Sequence, residues 1–396
     1  MYFCIVMIED RHFKIVYCTP AMYMAGGIER VLSLKANYFA EHFGYNITII
    51  LTEGKDKPFF YPLSDKIEVV NFGIDFEELW TCSFIKKILK YLKKQRQYKK
   101  KLTSELLRIR PDITVSLLRR EINFISNIKD GSKKIGELHV NRANYRNFEK
   151  NESNFIKNIF ARLWMIGLVR HLQKLDQFVV LTAEDKLQWP ELKNIVVIPD
   201  PLSFLSEIKS SLTNKRVIAV GRYVYQKGFD LLLQAWSIVE RMNTEWEMAI
   251  FGQGDRNPYE KLIDKLGIDR QRCHLFGSTD DIKREYIHSS VFVFSSRFEG
   301  FGMVLIEAME CGLPVVSFDC PCGPKDIIND GKDGFLVPNG NISQLADKIL
   351  WLINHPDEVR KLSIGAIEKS KKYSIEVLSL QWKQLFETVM SHSDEV

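Results

Sequence analysis

The chain has 396 residues, a net charge of +5, and apolar and charged fractions typical of globular domains. Its length favours two domains of roughly 200 residues, and no apolar run approaches the ~20 residues of a membrane-spanning helix. The seven cysteines contain no Cys-x-x-Cys pair, and their odd number argues against a disulfide framework, so a reducing cytoplasm is the expected location.

The first half of the chain alternates β-branched runs with helix-period segments. Its opening apolar stretch, residues 2–8, is followed by two acids and lacks the basic start of a signal peptide. The predicted strands of this half are 13–18, 46–51, 113–117, 134–137 and 177–181. Helical patterns cover residues 28–43 and 155–172. This alternation is typical of parallel sheets with helices on both faces.

Residues 84–101 form a basic segment with a helical pattern. Its apolar residues at helical spacing are Ile85, Ile88, Leu89 and Leu92, and its lysines include Lys86, Lys87, Lys90, Lys93 and Lys94. A basic amphipathic helix is typical of proteins that lie on anionic membranes, so we predict membrane contact through these lysines. A solvated helix with its apolar stripe packed on the core fits the same pattern. Nucleic acid is a further option, but no aromatic interleaving or nucleic-acid motif supports it.

A second series of strands begins after Pro199 and Pro201, which interrupt any helix and indicate an interdomain connection. The predicted strands of this half are 217–220, 248–251, 274–276, 291–294 and 314–318. A last helical pattern covers residues 375–390, with no strand after it. The sequence therefore predicts two doubly wound α/β units with a boundary near residue 200.

Open α/β sheets bind ligands at the carboxyl ends of their strands, so polar loops after strands are candidate sites. Gly26 and Gly27 lie after the first strand, where backbone amides ahead of a helix can approach a ligand. A simple connection fits these glycines as well. In the second half, Arg222 and Lys227 share one loop, where a guanidinium and an ammonium can hold a diphosphate. Solvated surface cations are the alternative.

Two further loops carry polar residues. Glu299 precedes the turn Gly300-Phe301-Gly302, whose amides suit a phosphate or sugar hydroxyls at a helix N-terminus. Farther along, Glu307 stands in an apolar run, and a carboxylate there can accept two hydrogen bonds from the vicinal diol of a ribose. A favourable helix dipole would explain Glu299 but not Glu307. His139 follows a strand of the first half, where a structural and a cleft position are both open.

Together, the two acids in the order Glu-x7-Glu, the segment GRYVYQKG at 221–228 and AGGIER at 25–30 resemble the retaining family 4 glycosyltransferases of the GT-B fold. The segments CGLPVVSFDCPCGPKDII and DGFLVP are similar to that family too, and the resemblance is weak only in residues 52–110. It implies two Rossmann-like domains facing across a cleft. Residues 1–200 would bind the acceptor, residues 201–372 the nucleotide-sugar, and residues 373–396 would form a helix returning to the first domain.

The resemblance also implies roles for individual residues. Arg222 and Lys227 would bind the donor diphosphate, with Gly27 contacting the phosphate from across the cleft. Glu307 would bind the ribose. Glu299 and His139 would be the catalytic residues, with His139 beside the reacting sugar. The donor sugar would be held by Glu299 and the amides of Gly300, Phe301 and Gly302. One departure is Asp326, where relatives commonly carry Glu, and the shorter side chain puts a direct contact from that position in doubt.

Family 4 enzymes retain the anomeric configuration. A double displacement would need a carboxylate nucleophile near the anomeric carbon, and no residue clearly supplies one. The expected mechanism is therefore a front-face internal return, in which charge stabilisation by Arg222, Lys227 and helix N-termini supports the leaving diphosphate. The sequence has no Asp-x-Asp motif, so neither a metal nor another cofactor is expected.

The expected acceptor is a glycan. If the basic segment lies on a membrane, the acceptor is a lipid-linked glycan at the inner face of the plasma membrane, as in bacterial surface polysaccharide assembly; otherwise it is soluble. Two alternatives stay open at this point. A sugar-nucleotide epimerase shares the two-domain fold, and a non-catalytic membrane-associated scaffold would need none of the acidic and basic site residues.

Overall fold

A computed structural model describes residues 12–81, 83–145 and 155–391, so the apolar stretch 2–8 lies outside the described residues. The strands are β1 (Lys14–Thr19), β2 (Asn46–Leu51), β3 (Glu68–Asn71), β4 (Ile113–Ser116), β5 (Lys133–Leu138), β6 (Gln177–Val180), β7 (Ile195–Val197), β8 (Arg216–Val220), β9 (Glu247–Phe251), β10 (Cys273–Phe276), β11 (Val291–Phe294), β12 (Val315–Asp319) and β13 (Gly334–Pro338). The α-helices are α1 (Gly27–His42), α2 (Phe84–Ile109), α3 (Phe155–Leu172), α4 (Ala183–Leu187), α5 (Phe229–Met242), α6 (Asn257–Leu266), α7 (Ile282–Ile287), α8 (Met303–Glu310), α9 (Pro324–Ile327), α10 (Ile342–Asn354), α11 (Pro356–Ser370) and α12 (Ile375–Ser391). Among these elements, no helix is long and apolar enough to cross a bilayer.

The strands form two parallel sheets. The first has the order β3-β2-β1-β4-β5-β6-β7 and the second the order β10-β9-β8-β11-β12-β13. The ten strands expected from the sequence are all present, each within one residue at either end. The strands that the sequence missed, β3, β7 and β13, are all edge strands. The predicted architecture of two doubly wound α/β units is confirmed.

Apolar side chains of each strand point alternately to the two faces of its sheet. In β1, Val16 packs into the core on one face and Ile15 into the core on the other. In β8, Val217 and Ile218 divide between the two cores of the second sheet in the same way. Because both faces are covered, the central strands are continuous apolar runs in the sequence. Such runs are what predicted the positions of these strands.

The C-terminal helix α12 connects the two sheets. Leu378, near its start, belongs to a core of the second sheet. Trp382 and Phe386 belong to the core of the first sheet that also contains Phe39 of α1. The Phe386 and Phe39 ring centroids are 5.7 Å apart. The chain thus crosses back to its first half, so the cleft between the sheets has a connection at residues 198–215 and another at α12.

Candidate active site

The site is built from loops at the carboxyl ends of strands in both sheets. The loop after β1 leads into α1 at Gly27, and the loop after β11 leads into α8 at Met303. A Cβ added to Gly27 would lie 4.0 Å from the sulfur of Met303. The first residues of the two helices therefore lie close together at the cleft, and their free amides and dipoles favour an anionic ligand there.

Glu299 and Lys227 form an ion pair at the second-domain side of this cleft. The Lys227 ammonium lies 2.6 Å from Glu299 Oε1, and Gln226 donates to Oε2 at 3.2 Å. Both charged side chains are largely buried, at 14% and 8% exposed. The following turn has its Gly302 at φ +100°, in the left-handed region that favours glycine. The structure thus brings together two residues that the sequence assigned to different parts of the donor.

Arg222 differs from Lys227 in its surroundings, although the family resemblance implied the same role for both cations. Its side chain is exposed and makes no hydrogen bond or ion pair with another residue in the described part of the chain. Lys227 instead lies across Gly221, where an added Cβ would be 3.1 Å from Lys227 Cδ. The loop therefore carries one exposed guanidinium with no side-chain partner among the described residues and one ammonium that is paired with Glu299.

Glu307 is buried and accepts from three side chains. Its Oε1 receives hydrogen bonds from Ser203 at 2.5 Å and from Arg30 at 3.2 Å, and its Oε2 receives one from Tyr286 at 3.2 Å. Arg30 belongs to α1, so this contact spans the cleft. A cavity of about 370 Å³ opens beside these partners and is lined in part by Arg30, Ser203 and Asp281. The sequence did not indicate Ser203 or Tyr286 as site residues. Arg30 could have been found, because it lies in the first turn of α1 after Gly27.

The imidazole of His139 is buried between the carboxylates of Glu137 and Asp200. Its Nε2 lies 3.2 Å from Glu137 and its Nδ1 lies 3.2 Å from Asp200 in the interdomain connection. Burial alone would lower the pKa of His139, but Asp200 and Glu137 outweigh it and raise that pKa to about 9. His139 is therefore held as an imidazolium at neutral pH, inside a charge network rather than open to the cleft.

Lys35 completes this network from α1. Its ammonium contacts Glu137 and lies 4.2 Å from the centroid of the Trp382 ring of α12. Burial would raise the pKa of Glu137, but Lys35 and His139 lower it to about 2. Glu137, His139 and Asp200 offer three potential metal-ligand atoms within 4.8 Å of one another. In the folded chain, Lys35 and the imidazolium of His139 already supply the positive charge that a metal ion would bring to these carboxylates.

The two domains touch at the backbone of His139. A Cβ added to Gly300 would lie 2.3 Å from the carbonyl oxygen of His139. Asn141, almost fully buried, donates from its side-chain amide to the Glu299 carbonyl oxygen at 2.6 Å. The ring of Phe301 packs edge-to-face against Tyr373, with the ring centroids 5.6 Å apart. The turn after Glu299 is therefore fixed against the first domain.

Asp326 also belongs to the domain contact. Its Oδ1 accepts from the backbone N–H of Ala183, at the start of α4, at 2.8 Å. Nearby, Glu184 accepts from the backbone N–H of Cys322 at 2.8 Å. The shorter acid at position 326 thus has a partner in the other domain.

The lysines of the basic segment are not equivalent. Lys86, Lys87, Lys90 and Lys93 are exposed on the N-terminal half of α2. Lys94 instead donates to the carbonyl oxygens of Ile74 and Asp75 and pairs with Glu78 at 3.0 Å. The expectation that Lys94 contacts a membrane needs this correction, because its ammonium holds a neighbouring loop. The apolar Ile88, Leu89 and Leu92 are 45%, 64% and 48% exposed; the side chain of Ile85 lies outside the described residues.

Two parallel-sheet α/β domains with a cleft at their strand ends define the GT-B class of glycosyltransferase folds. A TarM mutant from Staphylococcus aureus, solved with fondaparinux, alpha-GlcNAc-glycerol and UDP, shares this fold with a TM-score of 0.71. The likeness covers 94% of this chain and 99% of that one, at 18% identity. It confirms the predicted fold.

Sequence comparisons identify the family. Residues 205–369 match the model of glycosyl transferases group 1. A glycosyltransferase of Haemophilus influenzae, described as uncharacterized, is 30% identical over 91% of this chain and 96% of its own length. The poly(ribitol-phosphate) alpha-N-acetylglucosaminyltransferase of Staphylococcus aureus is 31% identical over 66% of this chain and 52% of its own. The chain belongs to the group 1 glycosyltransferases.

Proposed function

We propose that this chain is a retaining, metal-independent glycosyltransferase of family 4. It moves a hexose or N-acetylhexosamine from a nucleotide-diphosphate sugar to a glycan acceptor in bacterial surface polysaccharide biosynthesis. The observation that carries this proposal is the Lys227–Glu299 pair at a cleft where the first residues of α1 and α8 lie close together, with Arg222 exposed in the same loop as Lys227 and unpaired among the described residues. UDP in the TarM complex and the polymer acceptor named for the Staphylococcus aureus relative support the donor and acceptor classes.

In this proposal the donor diphosphate lies between the N-termini of α1 and α8. Arg222 and Lys227 neutralise its charge from the second domain, and the amide of Gly27 contacts it from the first. Glu307 takes the ribose hydroxyls and exchanges some of its present partners for them. Glu299 and the backbone of Gly300–Gly302 hold the donor sugar. Preorganised positive charge aimed at the leaving group is the main source of acceleration.

The protonation state of His139 supports an internal return. An imidazolium between two carboxylates cannot act as the general base for the acceptor hydroxyl, because its pKa is about 9. The bond from the anomeric carbon to the diphosphate oxygen breaks, and the acceptor oxygen bonds to that carbon on the same face. The acceptor proton moves to the departing diphosphate. His139 acts through its backbone, which supports the turn that holds the sugar.

The experiment is nucleotide release from a panel of UDP-, GDP- and ADP-sugars in EDTA, with Glu299→Gln and Arg222→Ala beside the unmodified chain. Glu358→Gln and Arg360→Ala, on the exposed face of α11, are the matched controls. We expect nucleotide release from one sugar nucleotide. Both site variants should lose this release, and both controls should keep it. A free epimerised sugar without acceptor would support an epimerase, and neither binding nor release across the panel would support a scaffold.

A further inference from the structure

The N-terminal half of α2 carries an apolar stripe that the described chain leaves uncovered. Ile88, Leu89 and Leu92 recur at helical spacing and lie on one face, each about half exposed. The first fully buried residue of the helix with a described side chain is Tyr98. Trp80, in the 3-10 helix Phe76–Thr81 just before α2, is 80% exposed. The stripe is therefore open to solvent, and the alternative that it packs on the core is not what the structure shows.

Positive charge surrounds this stripe, and the part of α2 before Glu105 has no acidic residue. Residues 84–104 contain nine Lys and Arg residues and no Asp or Glu. The acids of the adjoining segment are engaged: Glu77 accepts from the hydroxyl of Tyr23 at 2.8 Å, and Glu78 pairs with Lys94. Exposed apolar side chains flanked by exposed lysines match a surface that is both apolar and negatively charged.

Hydrogen bonds to the first domain fix the orientation of this surface. Lys94 and Lys101 donate to the carbonyl oxygens of Ile74 and Phe72, which holds α2 on the first domain. The side chain of Gln95 donates to the carbonyl oxygen of Arg120 at 2.8 Å, in the loop that follows β4. Since that loop lies at the carboxyl end of the first sheet, the stripe adjoins the acceptor side of the cleft.

We propose that Trp80, Ile88, Leu89 and Leu92, with Lys86, Lys87, Lys90 and Lys93, form a docking surface for an anionic lipid bilayer. The apolar side chains enter the boundary of the acyl chains, Trp80 lies at the level of the headgroups, and the lysines contact anionic headgroups. Docking places the acceptor side of the cleft at the membrane, so an acceptor attached to lipid reaches the site. This last step rests on the proposed transferase function; bilayer binding itself does not.

The test is co-sedimentation of the full chain with phosphatidylcholine vesicles, with and without 30% phosphatidylglycerol (about a third anionic lipid, to give a strong surface potential). One variant replaces Lys86, Lys87, Lys90 and Lys93 by Gln. Its matched control replaces Lys193, Lys261, Lys265 and Lys332 by Gln, which removes the same charge from exposed sites elsewhere. Leu89→Gln tests the stripe, with Met242→Gln, 74% exposed on α5, as its control. Circular dichroism and nucleotide release, in EDTA without acceptor, are measured on every variant.

We expect the affinity for the anionic vesicles to fall about a hundredfold or more in the α2 lysine variant. The affinity of its control should be unchanged. Leu89→Gln should weaken binding about tenfold or less, and Met242→Gln should not. Absent binding to anionic vesicles, or equal losses in the lysine variant and its control, would overturn the proposal. So would tighter binding to duplex DNA or RNA than to vesicles at the same salt. Unchanged nucleotide release in the α2 variants separates a failure of docking from a failure of the transferase function.

Discussion

The backbone of Gly300 lies against the carbonyl of His139, so closely that an added Cβ would come within 2.3 Å of the carbonyl oxygen. No real Cβ contact is that short, and the neighbour is backbone rather than a flexible side chain. The glycine is therefore needed for the approach of the two domains. It is also one of the residues that we propose to hold the donor sugar. A side chain at position 300 would therefore disturb both the domain contact and the placement of the sugar.

Gly300→Ala should lower kcat/KM on the order of a hundredfold, because moving the sugar-holding turn by about 1 Å misplaces the reacting carbon. Each domain keeps its own core, so the midpoint of urea unfolding should change little. Steady-state kinetics and urea titration measure the two quantities. Gly167→Ala, in α3 with no atom within 4 Å of the added Cβ, is the control. Equal kinetics for the two variants would show that the contact has no part in catalysis.

Replacing Arg222 and replacing Lys227 should have different effects on the free energy of unfolding. Arg222→Ala should reduce affinity for the sugar nucleotide about 10- to 100-fold, by removing charged hydrogen bonds, with a stability change within about 0.5 kcal/mol. Lys227→Met should reduce affinity and also cost about 1–3 kcal/mol of unfolding free energy, because it leaves Glu299 buried without its ion pair. Calorimetric nucleotide titration and urea unfolding check both. A stability loss in Arg222→Ala as large as that in Lys227→Met would contradict the assignment.

The sequence revealed the fold better than it revealed the site. Central strands such as β1 and β12 are buried on both faces, so they appear as continuous apolar runs, whereas the short edge strands β3 and β7 lack that signal. Loops after strands pointed to Arg222 and Glu299. The partners of Glu307 could not be found this way, because Arg30, Ser203 and Tyr286 come from distant segments. Such tertiary contacts leave no local pattern in the sequence.

Turnover should be unchanged in EDTA. Arg222, Lys227 and two helix N-termini supply positive charge to the diphosphate, so the proposed mechanism needs no divalent ion. Transfer or donor hydrolysis is measured after extensive dialysis against chelator, with and without added Mg²⁺ or Mn²⁺. Lost turnover that either ion restores would show the metal-independent mechanism to be wrong.

The pairing of His139 with Asp200 and Glu137 should make stability depend on pH. The folded pKa of about 9 lies above the value of about 6.5 expected for an unfolded histidine. The network therefore contributes its full stability below pH 6.5 and loses it as pH rises from 6.5 through 9. His139→Gln removes this contribution, so the gap in unfolding free energy between the two proteins should be largest near pH 6 and should narrow by pH 9. Urea unfolding at pH 6, 7.5 and 9 measures that gap.

His288→Gln is the matched control for this series, because His288 is an exposed histidine at the end of α7. At pH 6 its gap from the unmodified protein should be much smaller than that of His139→Gln, because its side chain is exposed. A gap for His139→Gln that does not change with pH would mean that the pKa of the imidazole is the same in the folded and unfolded chains, so that the imidazole is mostly neutral above pH 7. In that case it could serve as the base for the acceptor hydroxyl, and the internal return would lose the observation that supports it.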